Sequence, residues 1–181
     1  RQSRKLEHIQ YAMQLAKQEE PWEIADISLV HRCLPELKLD EISIHTQVAG
    51  FQMRSPIIIN AITGGAKDVK NINAALATVA KECQLAMAVG SQMAALEDPS
   101  VADTFKIVRQ INPDGIVFAN IGAYASPDLA QRAIEMIEAD ALQIHLNAPQ
   151  ELVMHEGDRD FRDWLTKIAA IVQSAHVPVI V

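Results

Sequence analysis

Residues 115–147 read GIVFANIGAYASPDLAQRAIEMIEADALQIHLN and contain one complete strand–helix–strand unit. The runs 115–119 and 141–146 are largely apolar and of strand length, which is typical of parallel strands in a sheet whose faces are covered. Between them, Ser126 precedes Pro127. That pair indicates a helix start, because serine caps the first turn and proline fits its first position. The stretch predicts an α/β fold with a parallel sheet.

The same unit repeats from Ser55 to the last residue. Five strand-like runs begin at Ile57, Leu85, Gly115, Ala141 and Val177. Between consecutive runs, apolar side chains recur at helical spacing, which predicts four helices. The pair Asp98-Pro99 marks a further capped helix start. Five strands and four helices are compatible with an open doubly wound sheet. Because the last run has no helix after it and eight such units need about 250 residues, we instead predict the first five strands of an incomplete TIM (β/α)8 barrel.

The residues before this region follow different patterns. Apolar side chains recur at helical spacing in 4–17, and the alternation in 41–48, followed by Gly50, predicts a short hairpin. We therefore expect two regions: an N-terminal helix and hairpin extension over 1–54, and the strand–helix repeat over 55–181.

Charge and composition exclude several classes of protein. A net charge of −7 without a basic stripe argues against a nucleic-acid partner. The apolar runs are far shorter than the roughly 20 residues of a membrane helix, and the charged N-terminal residues do not resemble a signal peptide. Cys33 and Cys83 lack metal-ligand spacing, so we expect two small core residues in a reduced, cytoplasmic protein.

A ladder of polar side chains follows one strand. Gln143, His145 and Asn147 alternate with apolar residues and so share one face. Burying such groups without partners costs about 1–3 kcal/mol each, so a bound polar ligand or an internal hydrogen-bond network is expected. Gln150 and Glu151 follow on the next loop, and the charged segment 155–160 is a candidate for closing over a substrate.

Two further groups of residues are candidates for ligand contacts. Glycines follow the first three strands, in the segments 63–65, 90–92 and 120–122, where they would let the backbone approach a flat ring or a phosphate. A basic patch of Arg4, Lys5 and His8 lies on the first predicted helix.

Taken in order, several stretches resemble the type 2 isopentenyl diphosphate isomerases. They are RKLEHI at 4–9, INAITGG at 59–65, AVGSQM at 88–93, FANIG at 118–122, LQIHLN at 142–147, QE at 150–151 and EGDR at 156–159. Each motif alone is modest, but the ordered set is specific and covers nearly the whole chain.

The resemblance implies a role for each motif. It implies catalytic or diphosphate-contacting roles for Gln150, His145 and Asn147, and a Mg²⁺ ligand in Glu151. Substrate would be bound by Arg4, Lys5, His8, Ser91, Gln92, Met93 and Gln150. FMN would be contacted by Ala61, Ile62, Thr63, Ser91 and Asn120.

The family also implies the reaction, which interconverts isopentenyl and dimethylallyl diphosphate in isoprenoid biosynthesis. It requires reduced FMN and Mg²⁺, with NADPH as the usual reductant, and its enzymes are homo-oligomers of four or more subunits. Residues 1–181 alone are expected to be inactive. Two alternatives remain at this point: another FMN-dependent barrel, such as a 2-hydroxy-acid oxidase, or a non-catalytic half-barrel.

Overall fold

The computed structural model describes residues 2–16, 27–155 and 157–181. Its α-helices are α1 Gln2–Leu15, α2 Lys70–Cys83, α3 Met93–Glu97, α4 Asp103–Ile111, α5 Pro127–Met136, α6 Ala148–Val153 and α7 Trp164–Ser174. Its strands are β1 Thr46–Val48, β2 Phe51–Met53, β3 Ile58–Ile59, β4 Ala86–Ala88, β5 Val117–Gly122, β6 Ala141–His145 and β7 Val179–Ile180. Short 3₁₀ turns lie at Leu39–Glu41, Lys67–Val69 and Pro99–Val101.

The five parallel strands form one sheet in the sequential order β3-β4-β5-β6-β7. The sheet is curved. On a flat sheet β3 and β6 would lie about 14 Å apart, three strand spacings. Yet the side chain of Asn60, directly after β3, is hydrogen-bonded at 3.2 Å to Gln143 of β6. Side chains on this concave face therefore meet across intervening strands.

The prediction of an incomplete (β/α)8 barrel is wrong for this chain. The five-stranded sheet is open, and β3 and β7 each pair with one neighbour only. Closing a barrel requires a consistent number, tilt and stagger of strands, eight of them in the predicted fold. A repeat of strands and helices specifies parallel neighbours, but it does not specify that the first and last strands meet.

The convex face of the sheet is covered by helices. Met87, Val89, Ile121, Leu142 and Ile144 point towards them and are almost completely buried. The helices contribute their own apolar faces, represented by Phe105 and Val108 of α4, Ala133 and Ile134 of α5 and Ile171 of α7. This is the main hydrophobic core, and its strand residues alternate with those of the concave face, as the period of two requires.

A small hairpin covers part of the concave face. Strands β1 and β2 pair antiparallel around Ala49 and Gly50, both of which have positive φ, as a tight hairpin turn requires. Met53 of β2 is buried in a second cluster with Phe118, and the rings of Phe51 and Phe118 lie 5.9 Å apart. The hairpin thus lies where Gly50 predicts its turn, although its first strand begins only at Thr46.

Both proline-marked helix starts are confirmed. Ser126 accepts a hydrogen bond from the backbone N–H of Leu129 at the start of α5. Asp98 accepts one from the backbone N–H of Ser100, and the 3₁₀ turn that follows leads into α4. Hydrogen bonds from Ser100, the side-chain bond foremost, hold the pKa of the Asp98 carboxyl below its ordinary value.

Arg109 ties together the end of the sheet where β5 and β6 begin. Its guanidinium donates to the carboxylate of Asp140 at 2.7 Å. It also donates to five backbone carbonyls, those of Asn112, Pro113, Gly115, Ile137 and Glu138. The loops at the ends of α4 and α5 are therefore held by one side chain.

Cys33 and Cys83 are unpaired and exposed, so the expectation that they lie in the core is wrong. Among the described residues, no helix is both long enough and apolar enough to cross a membrane.

Candidate functional site

A cleft of about 180 Å³ lies at the carboxyl ends of the parallel strands. Because all five strands run in the same direction, their last residues and the loops that follow converge on this edge. The lining residues come from the ends of four strands and from α6: Ala61, Ile62, Gly90, Ser91, Asn120, His145, Asn147 and Gln150. The structure therefore brings together four of the five residues predicted for FMN and all three predicted as catalytic.

Four polar side chains form a continuous hydrogen-bond chain beside the cleft. Gln143 Nε2 donates to Asn60 Oδ1 at 3.2 Å, and Asn120 Nδ2 donates to Gln143 Oε1 at 2.9 Å. Asn120 Oδ1 lies 2.9 Å from His145 Nδ1. The polar ladder thus points away from the helices, as predicted, and β4 leaves room for the chain because it places only small alanines on this face.

A second, fully buried network holds the backbone of Asn120. The carbonyl of Asn120 accepts from the backbone N–H of Gln92 at 2.8 Å, and its N–H donates to Gln92 Oε1 at 3.0 Å. Gln92 Nε2 in turn donates to the carbonyl of Ala133 in α5 at 2.9 Å. Gln92, predicted as a substrate contact, therefore lies behind the cleft and anchors its wall to a helix.

Asn147 and Gln150 are held in place by the start of α6. Asn147 accepts from the backbone N–H of Gln150 at 3.1 Å, and its Nδ2 donates to Gln150 Oε1 at 2.8 Å. The sequence Asn147-Ala-Pro-Gln150 carries the signal for this arrangement, namely an asparagine cap, a proline in the first turn and an amide at the third position. The predicted loop at Gln150 and Glu151 is in fact this short helix.

Glu151 lies next to the cleft without lining it. Its carboxylate accepts from the backbone N–H of Asp158 at 2.9 Å, and its backbone carbonyl accepts from Arg159. The charged segment predicted to close over a substrate is thus folded back onto α6. Arg162 pairs with Asp160 at 2.7 Å, and this contact holds the pKa of the Asp160 carboxyl below its ordinary value.

The glycines after the strands make room for the protein itself. A side chain at Gly90 would begin 2.6 Å from the carbonyl oxygen of Thr63, and one at Gly64 would begin 2.1 Å from the ring of Phe105. The interpretation that a glycine opens the backbone to a ligand is therefore not supported at Gly64, whereas Gly90 makes room for Thr63 and also lines the cleft.

Of the remaining predicted residues, Thr63 and Met93 do not line the cleft. Thr63 and Met93 are buried, and the hydroxyl of Thr63 has no hydrogen-bond partner among the described residues. Arg4, Lys5 and His8 lie in α1, but their side chains fall outside the part of the chain that the structure describes.

Sequence reasoning gave no role to two residues of the hydrogen-bond chain. The alternation in β6 places Gln143 on the polar face without assigning it a partner, and Asn60 is predicted only as part of the motif at 59–65. The available signal for Asn60 was alternation, because it shares a face with Ile58 at the end of the first parallel strand.

The cleft fits one wall of a flavin site. Ligand pockets for molecules of that class typically measure about 300–1,000 Å³, so about 180 Å³ accommodates only part of FMN. The hydroxyl of Thr63 is buried behind this wall and makes no hydrogen bond to any described residue. For Mg²⁺, the described residues contain no group of three or more acidic, histidine or cysteine ligands. Glu151 alone suits a Mg²⁺ ion that takes its other ligands from phosphate and water.

The comparisons with known proteins support an isopentenyl-diphosphate delta-isomerase, without distinguishing its type. No protein-family model matches the chain. The chain is 53% identical to the isopentenyl-diphosphate delta-isomerase of Symbiobacterium thermophilum, with 100% of this chain and 52% of the relative covered. It is 52% identical to the enzyme of that name from a Geobacillus species and 49% identical to that of Staphylococcus haemolyticus, again over 100% of this chain and 52% of each relative. The chain therefore spans about half the length of the curated relatives it matches, and along that half it is similar to proteins named isopentenyl-diphosphate delta-isomerase.

Proposed function

We propose that this chain provides part of a type 2, FMN-dependent isopentenyl diphosphate isomerase, which interconverts isopentenyl and dimethylallyl diphosphate. The observation that carries the proposal is the 49–53% identity to proteins named for this reaction, which extends over the whole chain. The convergence of seven predicted contact residues on one cleft supports it.

In this proposal Ala61, Ile62, Ser91 and Asn120 hold the flavin against the carboxyl edge of the sheet. When bound and reduced, with NADPH as the source of electrons, FMN supplies the acid–base chemistry that moves the double bond. The chain's own residues bind and orient the substrate. Asn147 fixes the amide of Gln150 through the 2.8 Å hydrogen bond between their side chains, so that Gln150 is presented to the substrate in one orientation.

The negative charge of the diphosphate requires positively charged groups close to the cleft. The residues that line the cleft include no lysine or arginine, and the whole chain has a net charge of −7. A diphosphate bound beside His145 and Asn147 therefore needs positive charge from outside this lining. We assign that charge to Arg4 and Lys5, with His8 beside them, and to a Mg²⁺ ion held by Glu151.

We further propose that the protein is a cytoplasmic homo-oligomer of four or more subunits. Unpaired Cys33 and Cys83 fit a reducing compartment. Exposed apolar side chains are concentrated in residues 27–44, where Leu29, Val30 and Leu39 are the most exposed, and such surfaces are typical of protein contacts.

The test is isomerase turnover, measured in the 181-residue chain and in the longest form of the protein made by its source organism. Conversion of isopentenyl diphosphate is expected only when reduced FMN and Mg²⁺ are both present. Turnover with Mg²⁺ alone would instead indicate a flavin-independent isomerase. Substrate-linked oxygen consumption with a 2-hydroxy acid would favour the oxidase alternative, and absence of flavin binding and turnover in both forms would reject the proposal.

A further inference from the structure

The hydrogen-bond chain beside the cleft has a direction, and a backbone group sets it. The N–H of Ala61 lies 2.8 Å from one side-chain atom of Asn60. A backbone N–H is only a donor, so that atom of Asn60 must be its oxygen, Oδ1. Everything that touches this oxygen must donate to it.

The assignment of Asn60 Oδ1 as an acceptor fixes the orientation of each following side chain in the hydrogen-bond chain. The atom of Gln143 that lies 3.2 Å from Asn60 Oδ1 must be the donor Nε2, which leaves the acceptor Oε1 at its other end. The atom of Asn120 that lies 2.9 Å from this acceptor must then be Nδ2. Asn120 consequently turns its oxygen towards His145 Nδ1, 2.9 Å away. An oxygen there requires a proton on Nδ1.

We propose that Gln143 is a positioning residue: acting through Asn120, it fixes the proton of the neutral His145 ring on Nδ1. Nε2 then carries a lone pair in the neutral ring, and it becomes a donor only when the ring is the imidazolium. The tautomer of a histidine is set by the hydrogen bond at its other nitrogen, and here that bond is specified from Asn60 onward.

The arrangement is held rigidly at its centre. Asn120 is 2% exposed, and Gln92 holds its backbone through two hydrogen bonds that involve the N–H and the carbonyl. The Asn120 amide therefore cannot reverse its ends by moving its backbone. If it rotated in place, its oxygen would face Gln143 Oε1, and two acceptors would meet inside the protein.

The consequence for catalysis rests on the proposed function. With the proton of the neutral ring on Nδ1, His145 binds a diphosphate oxygen through Nε2 only as the imidazolium. As the neutral ring, it accepts a hydrogen bond there. Gln143 thus determines whether the neutral His145 ring accepts or donates a hydrogen bond at Nε2, although Gln143 does not itself line the cleft.

The wild-type chain tests the proposal directly, without flavin or substrate. Long-range ¹H–¹⁵N spectra of ¹⁵N-labelled protein distinguish the two neutral tautomers, and His145 is identified among the six histidines by the signal that disappears in His145→Gln. At a pH where the ring is neutral, we expect the Nδ1–H form to predominate. A predominant Nε2–H form would overturn the proposal, whatever the fate of any variant.

Two variants then test the part played by Gln143. Gln143→Met keeps the size of the side chain but makes no hydrogen bond to Asn120, so the ratio of Nδ1–H to Nε2–H should fall roughly three- to tenfold, the effect of one net hydrogen bond. Asn60→Asp is the matched control, because it keeps an oxygen towards both Ala61 and Gln143 and should leave the ratio unchanged. An unchanged ratio in Gln143→Met would show that Gln143 does not set the tautomer of His145. Because no activity is measured, failure of the isomerase proposal would leave these results standing.

Discussion

At the scale of single residues, the candidate site is made mainly of amides. Asn60, Gln143 and Asn120 bond to one another, and Asn147 bonds to Gln150, so that each side chain has its donor and acceptor ends assigned by a neighbour. Amides without charge can be buried at modest cost once they are paired in this way. The site thus presents oriented dipoles, and under the proposed function the charge that a diphosphate needs would come from Mg²⁺ and from cations elsewhere.

Two buried threonines allow a matched test of the wall behind the cleft. The hydroxyl of Thr63 has no partner among the described residues, whereas that of Thr104 donates to the carbonyl of Val101 at 2.7 Å and accepts from the N–H of Gly65 at 2.8 Å. Thr104→Val should therefore lower the free energy of unfolding by about 1–3 kcal/mol. Thr63→Val should leave it unchanged or raise it by up to about 1 kcal/mol.

Urea denaturation of the two variants measures these changes, and a titration with FMN completes the comparison. If Thr63 contacts the flavin as the family resemblance implies, Thr63→Val should weaken FMN binding even though the protein is no less stable. An equal loss of stability in both variants would mean that Thr63 already has a partner in the folded protein.

Glu151→Gln tests the proposed Mg²⁺ ligand. The amide oxygen of glutamine is able to accept the N–H of Asp158, as the carboxylate does at 2.9 Å, so the loop should keep its place. The negative charge is lost, and in the longest form of the protein the Mg²⁺ concentration needed for half-maximal isomerase turnover should rise roughly tenfold or more. Asp163→Asn removes a charge from an exposed residue outside the cleft and should have no such effect. An unchanged Mg²⁺ requirement in Glu151→Gln would assign the metal to another residue.

At the scale of secondary-structure elements, the sequence predicted the five parallel strands, the capped helices and the hairpin turn, because each has a local signal. Apolar runs, the pairs Asp98-Pro99 and Ser126-Pro127, and Gly50 act over a few residues. The structure differs from the prediction where a feature depends on residues that are far apart in the sequence. Whether a sheet closes depends on which edges meet, and the close approach of Thr63 to Gly90 depends on a neighbouring loop.

The same distinction applies to the candidate site. Alternation within β6 was enough to predict that Gln143 and His145 share a face. It did not show that Asn60 reaches Gln143, because that contact depends on the curvature of the sheet across two intervening strands. Gln92 shows the same limit from the other side: the resemblance implies a substrate contact there, and no local signal indicates that its side chain accepts the backbone N–H of Asn120.

Arg109→Lys tests how strongly the Arg109 side chain stabilises the loops at the ends of α4 and α5. The arginine makes six hydrogen bonds and its side chain is 13% exposed, whereas a lysine has three donors and no planar fork. Urea denaturation should show a loss of about 2–4 kcal/mol in the free energy of unfolding. Arg132→Lys is the control: Arg132 lies 3.9 Å from Asp128 and donates to one backbone carbonyl, that of Leu96, at 3.3 Å, with about half of its side chain exposed, so its replacement should change stability by less than about 1 kcal/mol. Equal effects would show that the Arg109 contacts add nothing beyond a surface ion pair.

At the scale of the whole molecule, the two ends of the sheet differ in chemistry. Where β5 and β6 begin, Arg109 donates to Asp140 and to the surrounding carbonyls, and Asp140 accepts from the backbone N–H of Val117. Where these strands end, the polar side chains of Asn120, His145 and Asn147 line an open cleft. Stability and the proposed ligand binding therefore depend on opposite ends of the same parallel strands, so a change at the cleft is expected to be tolerated by the fold more readily than a change at Arg109.

The size of the cleft leads to an expectation for flavin binding by the 181-residue chain. Sites that bind small ligands tightly bury about 70–90% of the ligand surface, and a cleft of about 180 Å³ encloses much less of FMN. We expect a dissociation constant on the order of 10 μM or weaker, and no measurable isomerase turnover, in this chain by itself. Quenching of flavin fluorescence measures the first, and conversion of isopentenyl diphosphate with reduced FMN and Mg²⁺ measures the second. Ser91→Trp, which fills the cleft, should abolish even the weak binding, whereas His176→Gln, outside the cleft, should preserve it. Submicromolar binding that survives Ser91→Trp would place the flavin somewhere other than this edge of the sheet.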